Sequence, residues 1–179
     1  MRRFYADTSG GQIHGRRTAG AGTPVVLLHR TPVSSAGFEP VMECLAHAGQ
    51  ACIALDTPGF GASFTPAGQP SAAEYGRWLL EALDALGVMQ CHLAAHHTGT
   101  HFAAEMAAAA PQRVLSLTLS GVLLAPAEER ARLRADIGHA PDIDLEGGHF
   151  RSTFDLMRSL FLDPLPELVH AETMGALIA

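Results

Sequence analysis

Residues 91–102 read Cys-His-Leu-Ala-Ala-His-His-Thr-Gly-Thr-His-Phe. They constrain the fold more than any other stretch. An apolar run, Leu93-Ala94-Ala95, meets an Ala-rich helical sequence with only His96, His97 and Thr98 before Gly99. A strand that turns so sharply into a helix needs small residues where the two pack, and Ala95 and Gly99 stand there. The apex residue, His97, is then held in a strained backbone conformation with its side chain raised into a pocket. A strand followed at once by a helix is half of a β-α-β unit, so further parallel strands are expected.

The remaining sequence contains candidates for them. Residues 24–28 (Pro-Val-Val-Leu-Leu) and 51–55 (Ala-Cys-Ile-Ala-Leu) are continuous apolar runs, the pattern of strands covered on both faces. Residues 93–95 and 114–120 belong to two more. Residues 2–6 and 12–16 flank Ser9-Gly10-Gly11 and predict a hairpin that opens an antiparallel edge. Helices are predicted over 38–48, 72–86 and 100–110. In the second, Trp78, Leu79, Ala82, Leu83 and Leu86 fall at helical spacing and Gly87 stops the run. Pro111 ends the third. Strands alternating with helices predict an α/β fold: a mostly parallel sheet, right-handed crossovers and helices on both faces.

From Pro126 the pattern changes. Residues 128–137 read as a charged helix, 138–148 as a Gly/Asp/Pro-containing loop, and 151–162 and 167–178 as two more helices. No further strand is predicted. The expected organisation is a core of about six strands over residues 1–125 and a C-terminal helical lid segment over 126–179.

Composition removes several classes of function. Apolar residues make up 47% of 179 and charged residues 17%, which suits a globular domain with a core and excludes a disordered chain. The net charge is −6 with no basic run, so a nucleic-acid partner is not expected. The three Cys form no C-x-x-C pair, which predicts a reduced, cytoplasmic setting. The N-terminus has no apolar signal region, and no run of about 18 apolar residues predicts a membrane span.

Further motifs stand in register with the elbow. His29-Arg30-Thr31-Pro32 follows the third strand, where H-G-x-P would stand in a known family. Asp56-Thr57-Pro58-Gly59-Phe60-Gly61-Ala62-Ser63 follows the fourth, as D-x-P-G-x-G-x-S. Residues 95–99 fall on G-x-S-x-G, and Pro111-Gln112-Arg113-Val114 on P-E-R-V. Over essentially its whole length the chain resembles the α/β-hydrolase superfamily. It also resembles a subgroup with H-x-T-P and H-H-T-G motifs, in which histidine takes the elbow position.

The resemblance implies a catalytic centre at His97, where the family has serine. Three roles are open to the imidazole: a nucleophile, a general base, or a polar wall of a binding pocket. A purely structural histidine is the alternative. The resemblance also implies two backbone donors to an oxyanion, the Thr31 N–H and the Thr98 N–H. The Thr98 hydroxyl, one position from the apex, is expected to point aside, and Ser120 to be an ordinary strand-end hydroxyl. The loop around Pro58 is read as structural, with Gly59 and Gly61 allowing a tight reversal. His29, Arg30, His96 and His149 are the candidate substrate-binding residues. Arg30 replaces the family's usual Gly and either binds an acidic group or is solvated. His149 stands in Gly147-Gly148-His149-Phe150, a stretch similar to the subgroup's G-S-H-L, and either faces the pocket or is a solvated loop residue.

His97, His101 and Glu105 stand at i, i+4 and i+8, and H-x-x-x-H is a metal spacing. No C-x-x-C or H-E-x-x-H accompanies it, so no metal site and no cofactor is expected. The superfamily adds two strands, an acid and a late histidine after its lid. This chain shows none in register; Asp142, Asp144, Asp155 and Asp163 belong to the lid segment. The expectation is therefore a C-terminally truncated hydrolase-fold protein, acting on a small ester-like or apolar molecule and weakly active or inactive as the isolated chain. A non-catalytic small-molecule binder is the alternative, and a metal-dependent enzyme using His97 and His101 the third reading. A homo-oligomer is one way to cover the exposed sixth strand.

Overall fold

The computed structural model describes residues 1–126, 128–129, 144–160, 162 and 165–178. They fall into two units, Met1–Val122 together with Ile178, and Leu123–Leu177.

In the first unit, β1 (Arg2–Thr8) and β2 (Gly11–Thr18) form the expected antiparallel hairpin, paired from Arg2↔Arg17 to Thr8↔Gly11. The apolar runs become β3 (Ala21–Leu28), β4 (Gln50–Leu55), β5 (Cys91–His96) and β6 (Val114–Ser120). The sheet has six strands in the order β1-β2-β4-β3-β5-β6. β2 meets β4 antiparallel; the β4–β3, β3–β5 and β5–β6 pairs are parallel.

The helices are α1 (Glu39–His47), α2 (Ala72–Ala85) and α3 (Gly99–Ala109). Strand alternation sorts their partners. Val26, Leu28, Ile53, Leu55, Leu93 and Ala95 turn to one face and pack with Trp78, Leu79, Ala82 and Leu83 of α2 and Ala103 and Met106 of α3. Leu27, Cys52 and Ala54 turn to the other and bury Met42 of α1. The predicted helix over 38–48 starts differently: Ser35–Phe38 is a 3-10 turn capped by Ser34, and the α-helix begins at Glu39 with a proline in its first turn. α2 starts on a capping box in which Ser71 accepts the Glu74 N–H and Glu74 accepts the Ser71 N–H.

This order positions the site. From β3 the chain crosses to β4 through α1, then returns past β3 to β5 through α2. Direction reverses between β3 and β5, and at such a switch point the loops leaving the two carboxyl ends open a crevice. Residues 29–34 and 97–98 are those loops. At the far edge, Leu115, Leu117 and Leu119 of β6 remain 49%, 39% and 38% exposed. Among the described residues no strand pairs with the outer side of β6.

In the second unit, α4 (Gly148–Ser159) buries Met157, and α5 (Pro166–Ile178) buries Val169 and Thr173. α4 begins earlier than the sequence pattern suggests. Asp144 accepts the Gly148 N–H at 2.8 Å, and Gly147 takes a left-handed conformation (φ 76°) before the first turn. His149 is thus a first-turn helix residue rather than a loop residue. Of the helix predicted over 128–137, residues 128 and 129 are helical and the rest lies outside the described residues, as does most of the loop predicted over 138–148. No helix of the described residues is long and apolar enough to cross a membrane.

Candidate active site

β5 ends at His96 and α3 begins at Gly99, so the reversal occupies two residues. His97 takes φ 51°, the only positive φ of a non-glycine residue described. An L side chain avoids that region, so the surrounding structure must hold it there. It does so from both sides. The His97 N–H donates to Ser120 O at 2.8 Å, and His97 O accepts the Thr100 N–H at 3.0 Å and the Thr100 hydroxyl. Gly99 lets α3 sit directly on β3. A Cβ there would lie 2.5 Å from Leu28 O and 2.7 Å from His29 O.

The His97 imidazole is partly buried, and its Nδ1 is buried without a hydrogen-bond partner. Burial lowers its pKa below the usual 6.5, and the neighbouring His96, Arg30 and His101 push the same way. The ring is mainly neutral at pH 7. A neutral imidazole carries one N–H and one nitrogen lone pair. The His96 ring lies 6.3 Å away, centroid to centroid, on an exposed residue. Among the described residues no three His, Cys, Asp or Glu side chains gather into a metal-binding group, so His97, His101 and Glu105 do not form one.

The loop after β3 packs on the elbow. The Thr31 N–H donates to Thr98 Oγ1 at 2.7 Å. The Thr98 N–H donates to nothing among the described residues. The two backbone donors implied by the resemblance are therefore unequal: one is open and one is engaged.

His29 has no ring nitrogen left for a ligand. Its Nε2 accepts the Thr57 N–H at 2.9 Å, so Nδ1 carries the proton and donates to Arg30 O at 2.8 Å. The ring is buried and ties the β3 loop to the β4 loop through both nitrogens. Burial lowers its pKa, and protonating Nε2 would also break the Thr57 bond. Below the unfolded value near 6.5 the unfolded chain takes up a proton that the folded chain refuses, so stability falls as pH falls. Urea unfolding is expected to show a loss of up to about 1.4 kcal/mol per pH unit from this group between pH 6.5 and 5.5. The dependence should shrink in His29→Gln. Equal wild-type stability at pH 7.5 and 5.5 would contradict it.

The loop around Pro58 is organised by Asp56. Its buried carboxylate accepts His14 Nδ1–H at 2.7 Å, the Ser35 N–H at 2.8 Å and the Ala62 N–H at 3.0 Å, with the Arg16 guanidinium 3.7 Å away. Burial opposes its ionisation. The hydrogen bonds from Ser35, Ala62 and His14 outweigh that and hold the carboxyl below the usual carboxylate range. Arg16 continues to Ser35 Oγ at 2.5 Å and Glu39 at 2.9 Å. Sequence motifs singled out none of His14, Arg16, Ser35 and Glu39. A signal was there: His14 and Arg16 are polar residues two apart on one face of a buried strand.

Arg30, Thr31, His96, His97 and Thr98 all lie at the carboxyl ends of β3 and β5. His149 belongs to the second unit. There its Nδ1 accepts the Asp144 N–H at a long 3.4 Å and lies 4.0 Å from the Asp144 carboxylate.

A strained elbow at the switch point of a mostly parallel sheet, faced by the loop after β3, makes the sheet's carboxyl edge the candidate site. A family model for the alpha/beta hydrolase fold matches residues 23–145, and the chain belongs to this family. It is 34% identical over 114 residues to a 2-hydroxy-6-oxononadienedioate/2-hydroxy-6-oxononatrienedioate hydrolase of Cupriavidus pinatubonensis, a match covering 62% of this chain and 39% of that protein. It is 40% identical over 100 residues to a haloalkane dehalogenase of Mesorhizobium japonicum, covering 55% of this chain and 32% of the relative. The chain thus spans less than half of the length of these relatives. The crystal structure of wild-type Cfl2 from Burkholderia cenocepacia superposes with a TM-score of 0.77 at 23% identity, over 96% of this chain and 64% of that one. That likeness is one of fold.

Proposed function

We propose that this chain carries a hydrolase-type site for small ester-like or apolar molecules, with His97 in place of the serine nucleophile. The observation that carries the reading is the neutral His97 imidazole at a strained apex, beside the open Thr98 N–H. Strain at one residue persists where the fold over-determines it, and it concentrates at sites of function. The hydrolase names of the relatives support the class of reaction.

Two routes use the same imidazole. As nucleophile, His97 attacks the acyl carbon and the carbonyl electron pair moves onto oxygen. Collapse expels the alkoxide, which takes a proton from solvent to give the alcohol, and leaves an acyl-imidazolium. Water then cleaves this to the carboxylic acid and neutral imidazole, and one proton returns to solvent. As general base, His97 instead takes a proton from the attacking water and returns it to the leaving group. Both routes pass through a positively charged imidazole. His96, Arg30 and His101 each act to lower the His97 pKa, which disfavours that cation. Among the described residues no carboxylate is among the groups that shift it.

A second reading, a small-molecule binder, is favoured by histidine in place of serine at the apex. Turnover of p-nitrophenyl butyrate and binding of butyrate, compared in wild type and His97→Ala, separate the two. The proposal expects slow turnover that disappears in the variant while butyrate affinity holds within severalfold. No turnover in wild type, with affinity lost in His97→Ala, would identify a binder.

A further inference from the structure

The Thr98 side chain departs from the usual behaviour of a threonine at a helix start. It makes no cap bond to the first turn of α3. Its Oγ1 instead accepts the N–H of Thr31, 67 positions earlier in sequence. A hydroxyl oxygen that accepts an amide still has its own proton to give. Among the described residues that proton has no acceptor, whereas the nearby Thr100 hydroxyl is already spent on His97 O.

We propose that the Thr98 hydroxyl, rather than the Thr31 amide, is the loop-side donor to the substrate's carbonyl oxygen. Thr98 then supplies both donors, its N–H and its O–H, and Thr31 is a positioning residue that fixes the hydroxyl. The inference rests on the acyl-binding reading of the His97 site. The physical preference is simple. A substrate oxygen reaching the Thr31 N–H must first break a 2.7 Å bond inside the protein. One reaching the hydroxyl needs only rotation about Cβ–Oγ. Donation by the amide also polarises the O–H, so the relayed donor is stronger than an isolated threonine. The ligand class is an acyl oxygen that bears or develops negative charge: a tetrahedral oxyanion or a product carboxylate.

The test uses Thr98→Val, which keeps the side-chain shape without the hydroxyl, and Thr98→Ser, which restores it. Two readouts are taken on the full chain by NMR: hydrogen exchange at the Thr31 amide and titration with sodium butyrate. Thr98→Val is expected to speed Thr31 exchange and to weaken butyrate binding, each by about tenfold or more, the size of one lost charge-assisted bond. Thr98→Ser should keep both within about twofold. If Thr98→Val binds butyrate as well as wild type or better, the freed Thr31 amide is the donor and the proposal is wrong. Unchanged Thr31 exchange in Thr98→Val, or no butyrate binding by wild type, overturns it equally. The hydrolase reading is judged separately, by the dependence of ester turnover on His97.

Discussion

Gly99→Ala is expected to destabilise the protein by about 3 kcal/mol or more. The added methyl would meet Leu28 O at 2.5 Å and His29 O at 2.7 Å, both backbone atoms of the third strand and its loop. Neither can rotate away. Relief requires α3 to lift from β3, which opens the packing of Ala103 and Met106 against Val26, Leu28, Leu93 and Ala95. It also pulls on the Thr31–Thr98 bond. A domain with a typical 5–15 kcal/mol of stability loses a large fraction by such a change. Gly49→Ala provides the control. Gly49 has φ 78° with nothing within 4 Å of the added atom, so only the backbone term of about 1 kcal/mol applies. Urea midpoints of the two variants read the difference. A Gly99→Ala protein as stable as Gly49→Ala would mean that the elbow does not press α3 onto β3.

The second large effect concerns His97. Its removal is expected to lower ester turnover by about 10²-fold or more, the usual worth of a positioned base or nucleophile. Stability should move the other way. His97 sits at φ 51°, where glycine has no steric penalty. His97→Gly is therefore expected to be as stable as wild type or more stable, by up to about 1 kcal/mol, while inactive. Calorimetry checks the first part and the ester assay the second. A residue kept for packing would show the opposite: activity retained and stability lost.

The elbow and the sheet were legible because their signals are local and strong. Continuous apolar runs became β3 and β4, and the short path from Ala95 to Gly99 left room for no structure but a sharp strand-to-helix turn. The start of α4 was not legible. It depends on one carboxylate, Asp144, reaching the Gly148 N–H in a stretch where Gly-Gly suggests a loop. The bonding of His29 is not legible for a related reason. Its position after β3 suggests a pocket, but Nε2 accepts the Thr57 N–H from the next loop and Nδ1 donates to Arg30 O. The Asp56 cluster joins β2, the β3 loop, α1 and the β4 loop, and sequence spacing carries no record of such meetings. The Thr98–Thr31 bond has no sequence signal either: the motifs point to the two backbones, and the bond runs from one backbone to the other residue's side chain.

The account turns on one claim, that a neutral His97 imidazole performs the chemistry. The pH dependence of p-nitrophenyl acetate hydrolysis, measured from pH 5 to 8 for wild type and His97→Ala together, tests it most directly. A working base or nucleophile must be unprotonated, and burial with the positive neighbours lowers the His97 pKa. The wild-type rate should therefore rise with pH to a plateau, with its inflection below 6.5. The variant should show no such inflection and only the background rate. A His97→Ala protein with the rate and profile of wild type would contradict the account.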